Sequence, residues 1–243
     1  MKKLTVIFTG GSGLLGSEFR KIAPGFLYPG LAELDVTNYP QMEKYAETHG
    51  CDQVIHAAAF TSPPLVDKDP LKAVEVNIVG TANVVKLCAK YGARLMYICT
   101  DYVFQGDKGD YTETDPVNPV NKYAWSKLGG ECAVRMYDKA LIVRTTFGPD
   151  RFPYDRAFAD QYTSREPVSV IAHKLAALAS TNAVGVVHVG GVRRTVFEYA
   201  RSLDPSKALG EISIKDVPFK VPVDTSLNCQ RYNEIVNQEN NRV

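Results

Sequence analysis

Tyr123 and Lys127 stand four residues apart at the start of a helix pattern, Tyr123-Ala124-Trp125-Ser126-Lys127. That spacing puts both side chains on one helix face, about one turn apart. A phenol of ordinary acidity is a poor proton donor or acceptor at neutral pH. A neighbouring ammonium favours the phenolate and makes proton exchange with an oxygen practical. The pair alone is a weak signal, because the chain has 13 tyrosines and 28 lysines and arginines. A solvated helix face with an incidental pair gives the same pattern. Its position adds weight. An apolar run ending in Cys99-Thr100-Asp101-Tyr102-Val103-Phe104 precedes it, and the end of such a strand lines a cleft. The Thr100 hydroxyl there is placed to hydrogen-bond the oxygen that Tyr123 protonates. Strand-end capping is its plainer role.

A second constellation lies near the start. Gly11-Ser12-Gly13-Leu14-Leu15-Gly16 follows the apolar run Leu4-Thr5-Val6-Ile7-Phe8-Thr9-Gly10. A strand feeding a glycine-rich turn that opens a helix is a site for a dinucleotide pyrophosphate. The first glycine, Gly11, allows the tight turn, Gly13 lets the backbone approach the phosphates, and Gly16 lets the helix pack close to the strand. The phosphates then sit at the positive helix N-terminus. A glycine turn with no ligand is the alternative.

The elements that must position these residues follow from apolar patterning. Strand candidates are 4–9, 26–28, 53–57, 94–99 and 141–146, with helix patterns at 14–23, 40–49, 70–91 and 121–138 between them. Several strands read as continuous apolar runs, as parallel strands covered on both faces do. The alternation predicts an α/β chain with a doubly wound parallel sheet, its ligands at the C-terminal strand ends. Asp35 and Thr37 are candidate caps for the second helix. Pro63-Pro64 and the stretch from Gln105 to Asn121 read as loops. After about Gly148 the alternation loosens. Residues 149–175 and 201–228 carry loop signals, with a strand-like Val186–Val189 and a helix-like 195–203 between them. This predicts a domain over 1–148 and a small discontinuous C-terminal lobe over 149–243, part of 176–203 returning to the main sheet. Asn237–Val243 read as a frayed polar end.

Composition sets bounds. The 243 residues carry 45% hydrophobic and 23% charged side chains and a net charge of +1. That is an ordinary globular chain with no electrostatic case for nucleic acid or a membrane surface as partner. No apolar run is long enough to span a bilayer. Met1-Lys2-Lys3 and the run after it superficially resemble a signal peptide, but the run is needed as the first strand. The five cysteines (51, 88, 99, 132, 229) show no C-x-x-C spacing and read as buried thiols of a reducing, cytoplasmic compartment. His49, His56, His173 and His188 lack metal-ligand spacing, so no metal site is expected.

Taken in order, these segments resemble the extended short-chain dehydrogenase/reductases: Thr9–Gly16, Ala57-Ala58-Ala59, Asn77, then Tyr123 and Lys127. More narrowly, Leu34-Asp35-Val36-Thr37, His56–Thr61, Val76–Thr81, Cys99–Gly106, Asn121-Lys122-Tyr123 with Lys127-Leu128, and Leu141–Thr145 look like the dTDP-4-dehydrorhamnose reductase family. The match covers most of 4–148; the C-terminal third matches only loosely, at Gly185–Gly191 and around Val223–Leu227. The resemblance implies a Rossmann-type fold and reduction of a 4-keto nucleotide sugar by NADP or NAD in its reduced form, in dTDP-rhamnose and polysaccharide biosynthesis. It implies Tyr123 as proton donor, Lys127 as holder of the nicotinamide ribose that also depresses the tyrosine, and Thr100 as orienter of the carbonyl oxygen.

The resemblance further implies cofactor contacts at Gly10, Ser12, Gly13, Leu14, Leu15, Gly16, Asp35, Val36, Ala57, Ala58 and Ala59. Phe60, Asp101, Tyr102, Phe104, Thr145 and Phe147 are implied for the sugar pocket, with Thr100. Asn77 reads as a helix-bending, structural residue. Helices 70–91 and 121–138 are candidates for a homodimer face by analogy with the family. Tyr102 stands where sugar-nucleotide dehydratases carry an acid, which disfavours dehydration. Cys99 should point away from a cleft that Thr100 faces. Phe26-Leu27-Tyr28-Pro29-Gly30 offers neither an acid for a ribose hydroxyl nor an arginine for a 2′-phosphate, so NAD versus NADP stays open. Two further functions stay open too: a nucleotide-sugar epimerase using the same Tyr and Lys, and a regulatory subunit like the dinucleotide-binding partner of methionine adenosyltransferase. Arg144 could meet a substrate phosphate, or be a structural arginine paired with a carboxylate, the favoured reading. Trp125 reads as a packing residue.

Overall fold

The computed structural model describes residues 4–218 and 220–240. Eleven strands are described within this range. Val6–Thr9 (β1), Gln53–His56 (β2), Arg94–Thr100 (β3) and Ala140–Thr145 (β4) come first. Phe147–Gly148 (β5), Arg156–Phe158 (β6), Tyr162–Thr163 (β7) and Glu166–Pro167 (β8) follow. Gly185–Val189 (β9), Arg194–Thr195 (β10) and Gly210–Ile212 (β11) complete them. The five longest form one all-parallel sheet in the order β1-β2-β3-β4-β9. Leu27 pairs with Ile7 on the other side of β1. The chain therefore leaves β1 to one side and returns to the other, and the crevice at that switch is where such sheets hold ligands.

Helices cover both faces. Leu14–Ile22 (α1) follows β1, Tyr39–His49 (α2) precedes β2, and Pro63–Lys68 (α3) and Pro70–Ala73 (α4) lead to a π-helical turn, Val74–Val79. Gly80–Tyr91 (α5) and Lys122–Val134 (α6) flank β3, and Val168–Ala179 (α7), Val196–Leu203 (α8) and Gln230–Asn240 (α9) follow. Alternate strand residues sort into two cores, as the pleat requires. Ile7, Val54, Leu95, Tyr97, Cys99 and Ile142 pack with α2, α5 and α6. Phe8, Ile55, Met96, Ile98, Val143 and Val187 pack with α1 and α7. A small third cluster of Ala157, Val196 and Ala200 lies in the C-terminal part, where β6 pairs β11, β7 pairs β10, and β5 pairs β8.

Several details differ from the sequence reading. Segment 70–91 is not one helix: the π turn interrupts it at Asn77, and such turns re-aim side chains at functional sites. Asn38, not Asp35 or Thr37, caps α2 by accepting from the Gln41 N–H. Asp35 instead turns its carboxylate to Thr37. Pro63-Pro64 opens a short helix rather than a loop. Helix α7 arises where loops were expected. Its N-cap is Pro167, with no side-chain cap, so the usual start signal is missing. Residues 237–240 belong to α9 rather than to a frayed end; 241–243 lie outside the described residues. Cys51, Cys88 and Cys99 are buried, whereas Cys132 is exposed.

Candidate active site

The first turn of the site is set by backbone geometry. Gly10 takes φ +76°, in the left-handed region, and a Cβ there would lie 2.7 Å from the Ala58 backbone nitrogen. Gly10, not Gly11, is therefore the tight-turn glycine. Gly11 is needed for another reason, since its Cβ would meet the Tyr28 side chain at 2.9 Å. A Cβ on Gly16 would fall 2.6 Å from the Gly10 carbonyl oxygen, which is the close helix–turn packing expected of that position. Gly13 opens α1 with no side-chain cap and no acidic residue in the first turn. The orphan N–H groups of that turn face a cavity and suit an anion.

This cavity, of about 730 Å³, runs along the C-terminal strand ends. Gly10, Ser12, Gly13, Leu14, Leu15, Gly16, Asp35, Val36 and Ala57 to Ala59 line one part, and Thr100, Asp101, Tyr102, Tyr123, Lys127, Thr145 and Phe147 line the rest. Two of the expected residues lie elsewhere. Phe104 is fully buried, stacked on Tyr111 at 4.2 Å and under the Arg144 guanidinium. The 3₁₀ turn Asp101–Val103 ends the strand alternation and carries Phe104 into the core. Phe60 is held by its backbone, its N–H and C=O both bonded to the Asn77 amide, and its ring lies beneath the Lys72 ammonium. Among the wall residues that the sequence reading did not assign to the site are Pro29, Leu31, Val76, Thr146 and Arg165. Arg165 follows Ser164 in a stretch without helix or strand periodicity, and no motif marks it.

The reacting end is polar and partly buried. Burial pushes the Tyr123 phenol well above its ordinary range, with Cys99 and Asp101 adding to the rise and the Thr100 side chain opposing it. Lys127 is not among the leading influences on Tyr123, in contrast to the expected depression. Lys127 is 3% exposed, its ammonium 4.3 Å from the Tyr97 ring centre. Burial brings it down to about 8, so it is mostly charged at neutral pH. Thr100 donates to Asp101 Oδ1 at 3.2 Å and accepts from the Tyr102 N–H. Asp101 Oδ2 accepts from Thr225 at 2.6 Å, a contact across 124 positions.

Asn77 donates to Ser126 Oγ, which donates in turn to the Tyr123 carbonyl at 2.7 Å. The π turn thus fixes the start of α6 and the loop at Phe60 together. Cys99 faces Glu131 and the α6-side core, away from Thr100. Arg144 is a structural residue, 1% exposed and paired with Glu131 at 2.7 Å. Trp125 is 54% exposed and does not pack in the core. Among the described residues, no group of three His, Cys, Asp or Glu is placed to hold a metal, and no helix is long and apolar enough to cross a membrane.

With the geometry in place, similarity to known proteins becomes informative. The family model for the RmlD substrate binding domain matches residues 4–198. The chain belongs to this family. A dTDP-4-dehydrorhamnose reductase of Mycobacterium tuberculosis is 33% identical over 228 residues, covering 79% of this chain and 74% of that protein. A solved structure from Sulfolobus tokodaii, described as a hypothetical dTDP-4-dehydrorhamnose reductase, superposes with a TM-score of 0.86 at 27% identity, over 96% of this chain and 94% of that one. The dTDP-4-dehydrorhamnose reductase of Bacillus anthracis, solved in complex with NADP, shares the fold with a TM-score of 0.85 at 24% identity, covering 100% of this chain and 99% of that chain. The family's extended short-chain reductase architecture is the parallel sheet and glycine turn described above.

Proposed function

We propose that this protein reduces the 4-keto group of a nucleotide sugar, as its dTDP-4-dehydrorhamnose reductase relatives are named for doing. The carrying observation is that Tyr123, Lys127 and Thr100 share one cavity with the glycine cradle. Gly10 and Gly16 let the turn pack tightly against Ala58 and against itself, and the uncapped first turn of α1 faces the cavity, an arrangement that suits a dinucleotide pyrophosphate. A bound reduced nicotinamide supplies the hydride to the carbonyl carbon. Tyr123 keeps its proton at neutral pH because burial holds its phenol high, and it releases that proton as negative charge develops on the substrate oxygen. The Lys127 ammonium holds a ribose hydroxyl and offsets the charge left on the phenolate. Thr100 orients Tyr123 and the carbonyl oxygen. Asp35 and Val36 would hold the adenine end of the cofactor, and Tyr102, Thr145, Phe147 and Arg165 would form the sugar side. In this reading residues 1–148 bind the dinucleotide, and the 149–243 lobe contributes Arg165 to the substrate wall.

The test is loss of nicotinamide absorbance when protein, reduced cofactor and dTDP-4-keto-6-deoxy-L-lyxo-hexulose are mixed. Wild type should oxidise the cofactor only with sugar present. Tyr123→Phe should lower turnover by about two to four orders of magnitude while leaving cofactor affinity unchanged. Near-normal turnover in that variant would remove Tyr123 as the acid.

A further inference from the structure

Strand β3 serves the cavity from both of its faces. Thr100 lines the cavity, while Tyr97 lies in the α6-side core, fully buried behind the wall. Tyr97 touches Lys127 at two points. Its hydroxyl donates to the Lys127 carbonyl oxygen at 2.9 Å. The Lys127 ammonium stands over its ring, 4.3 Å from the centre. One side chain thereby holds both the main chain and the charged end of the same lysine. Glycine makes this approach possible. A Cβ on Gly130 would lie 2.7 Å from the Tyr97 hydroxyl oxygen and 2.5 Å from the Asn77 carbonyl oxygen, so a side chain there would lift α6 off the ring. The ring is braced from β2 as well. His56 is the register partner of Tyr97, with ring centres 5.7 Å apart, and is itself fixed between Thr9 Oγ1 and Thr81 Oγ1.

A buried ammonium needs compensation. The ionisable groups around Lys127 are Tyr97 and Cys99 of β3, His56 of β2, and Tyr123 and Glu131 of its own helix. The π turn and α5 add Asn77 and Thr81, which do not titrate. Burial pushes the Tyr97 and Tyr123 phenols and the Cys99 thiol up, so all three keep their protons. Burial, with the Lys127 charge, holds His56 down to about 3, so it is neutral too. Glu131 gives its oxygens to Arg144 and Arg135. The Tyr97 ring face supports the cation in another way. Its quadrupole attracts an ammonium without a formal charge and without accepting a proton. A carboxylate in that place would cancel much of the field of Lys127. The aromatic face leaves the field intact for a ribose hydroxyl and for charge left on Tyr123.

We propose that Tyr97 is a positioning residue for Lys127, its hydroxyl fixing the main chain and its ring face aiming the ammonium into the cavity as a preset cation. The use of that cation rests on the reaction proposed above; the contact itself is tested without substrate or cofactor. The measurement is NMR of the purified protein carrying 13C at the lysine ε-carbons, with the Lys127 signal assigned by its loss in Lys127→Met. In the wild type the Lys127 ε-protons should lie upfield of those of the other lysines, shifted by the ring, and should titrate near pH 8. Tyr97→Phe keeps the ring and should keep both properties. Tyr97→Leu should lose the ring shift, and its midpoint should move down by about half to one and a half pH units, because the charged form loses its support. Its kcat on the keto sugar should fall by about three- to tenfold, with most of the rate kept in Tyr97→Phe. Circular dichroism establishes that each variant keeps the fold. A wild-type Lys127 signal without the ring shift overturns the proposal even if Tyr97→Leu does not fold. An unmoved or raised midpoint in folded Tyr97→Leu overturns it too. The expected NMR behaviour without sugar turnover by the wild type supports the contact and removes only the proposed reaction.

Discussion

A hydroxyl has one proton, and Thr100 gives its proton to Asp101 while accepting from the Tyr102 N–H. Asp101 therefore holds the one Thr100 proton, and it decides whether that hydroxyl can turn to the Tyr123 phenolate and the carbonyl oxygen. Asp101 is itself 2% exposed, and its carboxyl is raised by burial against the pull of Thr225, Arg165 and Thr100. Thr225 is fully buried in a strap whose backbone pairs with Tyr162 and Tyr111. Thr225→Val removes the donor and keeps the volume. It should lower kcat on the keto sugar by about tenfold, the scale of one hydrogen bond to a charged group, without changing cofactor affinity. Thr225→Ser should restore the rate, a rescue that simple loss of packing would not give. An unaltered kcat in Thr225→Val would show that Asp101 needs no support from the strap. This link was not legible beforehand. A threonine in a loop has no local signature, and its partner lies 124 positions away.

At the scale of elements, the sheet was readable because strands buried on both faces must be apolar throughout. The ends of β1 to β4 fall within about two residues of the runs seen in the sequence. The glycine frame was misjudged by one residue, since composition cannot say which of two adjacent glycines takes the positive φ; the close approach of Ala58 decides it for Gly10. Phe104, which the resemblance implied for the sugar pocket, lies in the core because the 3₁₀ turn after β3 redirects the chain there. What joins α6 to the sheet is likewise tertiary. Glu131 on α6 receives two bonds from Arg144 of β4 and two from Arg135. Arg144 and Glu131 are both essentially inaccessible. Glu131→Gln would leave a buried guanidinium without its counter-charge and should destabilise the protein by about 3 kcal/mol in urea unfolding. Because α6 also carries Tyr123 and Lys127, turnover of the variant should fall before global unfolding begins. A loss below about 1 kcal/mol would mean that water or a neighbour compensates Arg144.

For the molecule as a whole, two buried histidines set its response to acid. His56 lies between Thr9 Oγ1 at 2.7 Å and Thr81 Oγ1 at 3.0 Å, and burial, with the Lys127 charge, holds it down to about 3. His188 contacts the Tyr111 carbonyl through Nδ1, and burial holds it down to about 4 despite Glu113 nearby. Both are neutral in the fold and would be protonated in the unfolded chain below about pH 6.5. The unfolded state therefore binds more protons between the two ranges, and stability must fall as pH drops from about 6.5 toward 4. By pH 5 each histidine should cost about 2 kcal/mol of unfolding free energy relative to pH 7.5. Asp101 acts with the opposite sign, since its raised carboxyl takes up a proton in the fold before it would when unfolded. Glu131, held low by Arg144 and Arg135, adds to the loss in acid. Urea unfolding at pH 7.5 and 5 measures the sum, and His188→Gln isolates one part. That variant should lose stability at pH 7.5 yet show a shallower decline toward pH 5. If its pH slope matches that of the wild type, the acid sensitivity belongs to His56 and the carboxylates alone.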